Sequence, residues 1–387
     1  MIDPFSSLKR VVSTWALPKQ NAVSKMVAPD EPSETVQLSG VMRNRPTVNT
    51  NTSHLFRTAC VGGLGVLAVA ISRTGRLVEE TSRGLGLTNG PVGTVQVDKA
   101  RPLPPSLMGD RPNSKMSRPM IFVPGFQTPK DRFDHMTEKL TQNGLNGGKV
   151  YYIKDDRVYG DQDCRQELRH VDPEARVFVA VFSSTKDSPP IAAHQLKHSL
   201  DRINKISGQK VDVAAYSMGG LATRTYLDRG GDNVGKLMMV GTPQHGSALA
   251  ALSLGALNMQ AAGSDVGWLL SKCPKAIDQD DRSALSWLST EDGQDNEAMV
   301  GINSRWTQQR ARLEDVLIVG SGEQHTFGLN FQFSKGDATV PVESLAIDDS
   351  TPVVLLKDKS RGTHGLLFSN PNLYDEMTRF FNWDKAD

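Results

Sequence analysis

Short apolar and β-branched runs recur along the second two-thirds of the chain. They lie at Met120–Val123, Val177–Phe182, Val211–Ala215, Leu237–Val240, Val316–Val319 and Val353–Leu356. Runs this continuously apolar predict strands buried on both faces. Between several of them the spacing is helical: Phe133, Met136 and Leu140 fall at i, i+3 and i+7, and Leu196, Leu200 and Ile203 share a face. Buried strands separated by amphipathic helices imply βαβ units around a mostly parallel sheet flanked by helices, an α/β fold. No internal repeat is visible.

The first third reads differently. Residues 1–54 hold seven Ser, five Thr and five Pro with no sustained apolar period, and are expected to be disordered. Residues 55–118 form a second, basic unit, and Pro102, Pro104, Pro105, Pro112 and Pro119 mark a stiff, extended connector after its apolar segment. Within it, 15 uncharged residues run from Thr58 to Ser72 between Arg57 and Arg73. A helix of that length covers about 22 Å, less than the roughly 30 Å hydrocarbon core of a bilayer. It is expected to pack on the main domain, with peripheral membrane contact through residues 55–118 as the second expectation. The early residues lack the apolar core of a secretory signal peptide. The expected location is cytoplasmic or reached by a non-classical export route, with membrane association as a further option. Residues 119–387 are expected to be the catalytic domain.

Charge and cysteine content narrow the class. The formal net charge of +1 argues against a protein built to coat nucleic acid, so no nucleic-acid partner is expected. The balance is uneven, with a net of +7 over residues 1–118 and −6 over residues 119–387. Three cysteines, Cys60, Cys164 and Cys273, cannot form a fully paired disulfide framework, and no CxxC spacing is present. Cys164 and Cys273 are most simply free thiols, with a bridge between them left open.

The chemistry concentrates around Ala215-Tyr216-Ser217-Met218-Gly219-Gly220, which follows one apolar strand and opens the helical stretch from Leu221 to Leu227. A tight strand–turn–helix needs small residues two before and two after its serine, and it projects the hydroxyl at the carboxyl edge of the sheet. Ser217 is therefore the expected nucleophile. A serine needs a base, and the base an orienting carboxylate. Asp337 stands in the turn Gly336–Pro341, and His364 in the loop Gly362–Gly365, in the order acid then histidine after the serine. Pro124-Gly125-Phe126-Gln127 follows the first apolar strand of this region. Gly125 lets the backbone approach closely, so the Phe126 and Met218 amides are the expected oxyanion donors.

Phe122–Phe126, Ala215–Gly220, Gly241–Ser247, Gly336-Asp337 with Val340-Pro341, and Thr363-His364 together resemble the α/β-hydrolase superfamily, in particular its lipase and esterase group. The resemblance covers roughly residues 119–383. It implies an α/β-hydrolase fold, with Ser217 as nucleophile, Asp337 as acid and His364 as base, and no cofactor or metal. Two departures stand out: Pro124 occupies the place where lipases often have His, and His245 is shifted by one within Thr242–Ser247. Tyr216, Gln127 and His245 are the expected substrate contacts, with His245 alternatively at the pocket rim.

Between about 248 and 312 the strand–helix alternation breaks, where the superfamily commonly carries a cap. Three of the five tryptophans lie there, Trp268, Trp287 and Trp306, and a lid with an apolar inner face is expected. His194 and His198, at i and i+4 on a helix, are expected to be a packed or solvated pair, because Gln195 stands where a zinc-protease helix carries its Glu. The expected function is a serine ester hydrolase, lipase- or phospholipase-like, acting on an acyl-ester or lipid substrate. An acyltransferase using the same acyl-enzyme and a non-catalytic binding module are the alternatives.

Overall fold

In the computed structural model of the 387-residue chain, residues 114–261, 277–291, 294–329 and 333–385 are described. The expectations for residues 1–113, Cys60, Trp268 and Cys273 lie outside them. Eight strands form the central sheet: β1 (Met120–Val123), β2 (Val150–Lys154), β3 (Arg157–Tyr159), β4 (Val177–Ala180), β5 (Val211–Tyr216), β6 (Val234–Val240), β7 (Asp315–Ser321) and β8 (Val353–Leu356). Their spatial order is β8-β7-β6-β5-β1-β4-β2-β3. Every pairing is parallel except that of β2 with β3.

The helices are α1 (Asp134–Thr141), α2 (Pro189–Ser207), α3 (Met218–Asp228), α4 (Ala248–Ala261), α5 (Arg282–Leu288), α6 (Glu297–Ser304), α7 (Trp306–Arg310) and α8 (Pro371–Phe381). Their ends follow local chemistry. α2 opens on Pro189 and Pro190, whose missing N–H groups have no intrahelical role in a first turn, and closes on Gly208 in the left-handed region (φ 67°). α8 is capped by the Asn370 side chain, which accepts from the Asn372 amide, and stops at left-handed Asn382.

The two faces of each strand feed two cores. Ile121, Val213 and Ala215 pack with Leu196, Leu200 and Ile203 of α2 and Ala222 and Leu227 of α3. Phe122, Ala214 and Tyr216 pack with Phe133, Met136 and Leu140 on one side and Leu373, Met377 and Phe381 of α8 on the other. All six expected strands are present. The β2–β3 hairpin is an addition, half-buried along β2 and joined by a turn in which Asp155 is left-handed (φ 54°).

Residues 248–311 leave the sheet after β6, and their described part packs a third apolar cluster. Leu257, Ala284, Leu285, Leu288, Met299 and Ile302 close over Met218 and Leu221 of α3, with Phe126 against them. Trp306 does not share in that cluster. It is buried in the α2/α3-side core, and its indole N–H donates to Thr351 Oγ1 at 3.1 Å, so the segment's last helix has already returned to the body of the domain. No helix among the described residues is long and apolar enough to cross a membrane.

Candidate active site

Ser217 links β5 to α3 with φ 54° and ψ −128°, a conformation that non-glycine residues adopt only when their surroundings impose it. Here two glycines impose it. A Cβ on Gly219 would stand 2.6 Å from the Val123 carbonyl oxygen, and one on Gly125 would stand 2.6 Å from the Tyr216 oxygen and 2.7 Å from Ser217 Cβ. Backbone therefore packs on backbone where the loop after β1 meets the turn after β5. Thr242 fixes the turn from the next strand, its hydroxyl donating to the Ser217 carbonyl at 2.9 Å.

The sequence-predicted Ser217, Asp337 and His364 come together although 147 and 27 positions separate His364 from the other two. The Ser217 hydroxyl donates to His364 Nε2 at 2.9 Å. The opposite nitrogen, Nδ1, lies 2.6 Å from Asp337 Oδ2, so the carboxylate selects the Nδ1–H tautomer and leaves the Nε2 lone pair for the serine. Asp337 is buried, and its second oxygen accepts from the Thr339 amide at 3.0 Å and the Val340 amide at 2.7 Å. The His364 amide donates to the Asp337 carbonyl at 2.7 Å, which locks the two loops to each other.

In the loop after β1, the Gly125 amide donates to Thr128 Oγ1 at 2.8 Å and the Gln127 amide to the Thr185 carbonyl at 3.2 Å. Among the described residues the amide between them, that of Phe126, has no protein acceptor. The Met218 amide opens α3, where N–H groups lack intrahelical acceptors. It lies 2.9 Å from where a Gly125 Cβ would be, so both expected donors border the same space.

The other three expected contacts are held by the protein itself. The Tyr216 ring is buried against His364, centroids 4.9 Å apart, and its hydroxyl donates to the His364 carbonyl at 3.1 Å. Burial pushes its phenol far above the usual range, so it stays a neutral donor. The Gln127 side chain donates to Asp281 Oδ1 at 2.9 Å, and Lys186 reaches Asp278 at 2.8 Å and Asp281 at 3.3 Å. This clasp ties the loop after β1 to residues just ahead of α5. His245 has Asp295 Oδ1 2.8 Å from Nδ1 and the Ala346 carbonyl 2.8 Å from Nε2. It lines a cavity of about 190 Å³ with Glu343, Asp348 and Thr351, outside the Ser217 array.

Sequence reasoning missed Arg224. It is fully buried on α3 and donates to Gln309 Oε1 (2.9 Å), Gln244 Oε1 (2.7 Å), Asn303 Oδ1 (2.8 Å) and the Ile302 carbonyl (3.2 Å). Burial lowers its pKa to about 9, and the guanidinium also stacks 5.0 Å from the Trp306 ring. It joins the serine helix to α6 and α7. A single arginine in a helix carries no such information without its partners. His194 and His198 are exposed with their Nε2 atoms 3.4 Å apart, and no group of three metal-ligating side chains occurs among the described residues. Cys164 is a free thiol whose pKa burial raises.

The strand order, the strained serine between β5 and α3, and the acid and histidine on the chain beyond β7 and β8 define an α/β-hydrolase fold. The chain matches no family model and no curated protein. Among solved structures it is similar to the propeptide form of the lipase BlEst2 from Bacillus licheniformis, with 16% identity, TM-score 0.44, and coverage of 72% of this chain and 53% of that one. Phospholipase PlaB from Legionella pneumophila gives 17% identity and TM-score 0.37, covering 60% and 46%. Lipase B from Aspergillus fumigatus gives 16% and 0.36, covering 66% and 50%. The chain thus spans about half the length of each of these three. At such scores the likeness says nothing of substrate, and the fold assignment rests on strand order and local geometry.

Proposed function

We propose that the chain is a serine ester hydrolase of the lipase or phospholipase type, working through an acyl-enzyme on Ser217. The observation that carries this reading is the Asp337–His364–Ser217 array, hydrogen-bonded at 2.6 and 2.9 Å beside the Phe126 and Met218 amides. His364 Nε2 takes the Ser217 proton as Oγ bonds to the ester carbonyl carbon. The carbonyl oxygen becomes an oxyanion facing the two amides, each such donor contributing about 2.7–4 kcal/mol to the transition state. Collapse breaks the ester bond, and His364 returns the proton to the departing alcohol. A water then gives its proton to His364, its oxygen attacks the acyl carbon, and the acid leaves as Ser217 recovers the proton.

Residues 119–387 form the catalytic domain in this reading, and the part of residues about 248–312 ahead of Trp306 its cap. The apolar cluster over Met218 and Phe126 supports an acyl-accommodating surface beneath that cap. Hydrolysis of p-nitrophenyl esters from two to sixteen carbons, wild type beside Ser217→Ala, tests the proposal. Activity that peaks at long chains and vanishes in the variant is expected. Absence of activity on every ester, or equal activity in the variant, would overturn it.

A further inference from the structure

Arg132 lies in the single turn Lys130–Phe133 that follows the loop after β1. Its guanidinium carbon stands 5.4 Å from the centroid of the Tyr216 ring, the ring that also packs on His364. Such a contact does not use up the N–H donors along the guanidinium edge. That edge has no taker among the described residues. Nε is buried without a hydrogen-bond partner, and the side chain makes no hydrogen bond or ion pair with any of them. Asp131 and Asp134, its near neighbours in sequence, do not pair with it, whereas Arg118, Arg176, Arg305 and Arg379 each hold a carboxylate.

The free edge faces an opening. Nη1 and Nη2 both lie 3.7 Å from where a Cβ of Gly365 would be, and no other atom of the described residues, the adjoining ones aside, comes within 4 Å of that point. Gly365 directly follows His364. An unpaired, half-buried guanidinium with both terminal nitrogens toward an unfilled space is suited to a bidentate oxyanion. The surrounding catalytic region carries a net of −6, so an anion brought there needs a local cation of this kind.

We infer that Arg132 reads a phosphate on the ester substrate, gripping it through Nη1 and Nη2 in the space that Gly365 leaves beside His364. This rests on the reading of Ser217 as an ester-cleaving nucleophile and narrows it to acyl esters that carry a phosphate, for which an acylglycerol phosphate serves as the probe. A free phosphate shares the same chemistry and is separated below.

The test compares a 1-acylglycerol 3-phosphate with the 1-monoacylglycerol of the same chain, substrates that differ only in the phosphate. Arg132→Gln is expected to lower the ratio of their kcat/KM values at least tenfold, mainly through KM of the phosphate ester, with Arg132→Lys between. Gly365→Asp keeps the arginine but sets a carboxylate against it, at a glycine outside the left-handed region. The same fall is expected there, and this variant decides the matter if Arg132→Gln does not fold. An unchanged ratio, whatever happens to either rate, overturns the inference.

If the wild type cleaves neither ester, its activity on p-nitrophenyl esters decides the proposed function, and binding to full-length Ser217→Ala decides this site separately. By calorimetry, glycerol 3-phosphate should bind more tightly than inorganic phosphate and lose at least tenfold in affinity with Arg132→Gln added. Equal binding of the two probes assigns the site to free phosphate and overturns the substrate role. Binding of neither, or binding indifferent to Arg132, also overturns it.

Discussion

Replacing Gly125 by alanine puts a methyl group 2.6 Å from the Tyr216 carbonyl oxygen, 2.7 Å from Ser217 Cβ and 2.9 Å from the Met218 nitrogen. None of the three is the end of a flexible side chain, so the clash cannot be relieved by a rotamer change. Ordinary contact begins near 3.4 Å, and the loop after β1 must therefore retreat from the serine turn by about 0.8 Å. Phe126 rides on that loop. A displacement near 1 Å costs a well-oriented site on the order of 10²-fold, and loss of one oxyanion donor costs about 10²–10³-fold in kcat. The expected result is a fall of that size in kcat for ester hydrolysis, with overpacking costing about 1–3 kcal/mol of stability. Gly301→Ala on α6 is the control. Its nearest neighbour is Arg305 Nη1 at 3.8 Å, and helix propensity should raise stability by roughly 0.5–1 kcal/mol. A folded Gly125→Ala enzyme with kcat within threefold of wild type would refute the reasoning.

Three further outcomes follow from the same geometry. Tyr216→Phe removes the hydroxyl that holds the His364 carbonyl at 3.1 Å, and should cost about 1 kcal/mol in denaturant unfolding with a several-fold drop in kcat; no change in either would remove tyrosine's supporting role. Arg224→Met strands Gln309, Gln244, Asn303 and the Ile302 carbonyl in the interior, and should cost about 3 kcal/mol by urea unfolding, a figure that a loss under 1 kcal/mol would contradict. Burial raises Asp212 to about 6, against the pull of the Lys236 amide and Arg118. Its folded pKa lies above its unfolded value, so its stabilising share is complete below about pH 4 and disappears as pH rises through about 6, a change of up to about 3 kcal/mol. Relative to Asp212→Asn, the wild type should lose stability over that window, and parallel pH curves for the two proteins would rule this out.

Much of the fold was legible because its central strands are apolar on both faces. Val211–Tyr216 and Val234–Val240 must be interior, and interior strands joined by amphipathic helices have few arrangements open to them. The β2–β3 hairpin was less visible because Tyr151 and Ile153 alternate with half-buried residues, a weak pattern over five positions. Its signal lay in the turn, since Asp155-Asp156 joins runs that end at Lys154 and resume at Arg157. Spacing around Ser217 pointed to a strained turn, because only glycine at 125 and 219 permits backbone to touch backbone there. The supports of the site were not readable. Gln127 meets Asp281 across 154 positions, and His245 meets Asp295 across 50, and single residues carry no mark of partners that distant. Trp306 misled for a related reason: proximity in sequence to the proposed cap suggested a cap residue, while α7 had already turned back to the core.

The central claim is that Ser217 is a nucleophile activated by His364. Labelling the full-length chain with a fluorophosphonate, followed by peptide mapping, tests it most directly, with His364→Ala alongside. The account predicts a single adduct on Ser217 in the wild type, forming at least 10³-fold more slowly in the variant. No adduct on Ser217, or one that forms equally fast without His364, would contradict it.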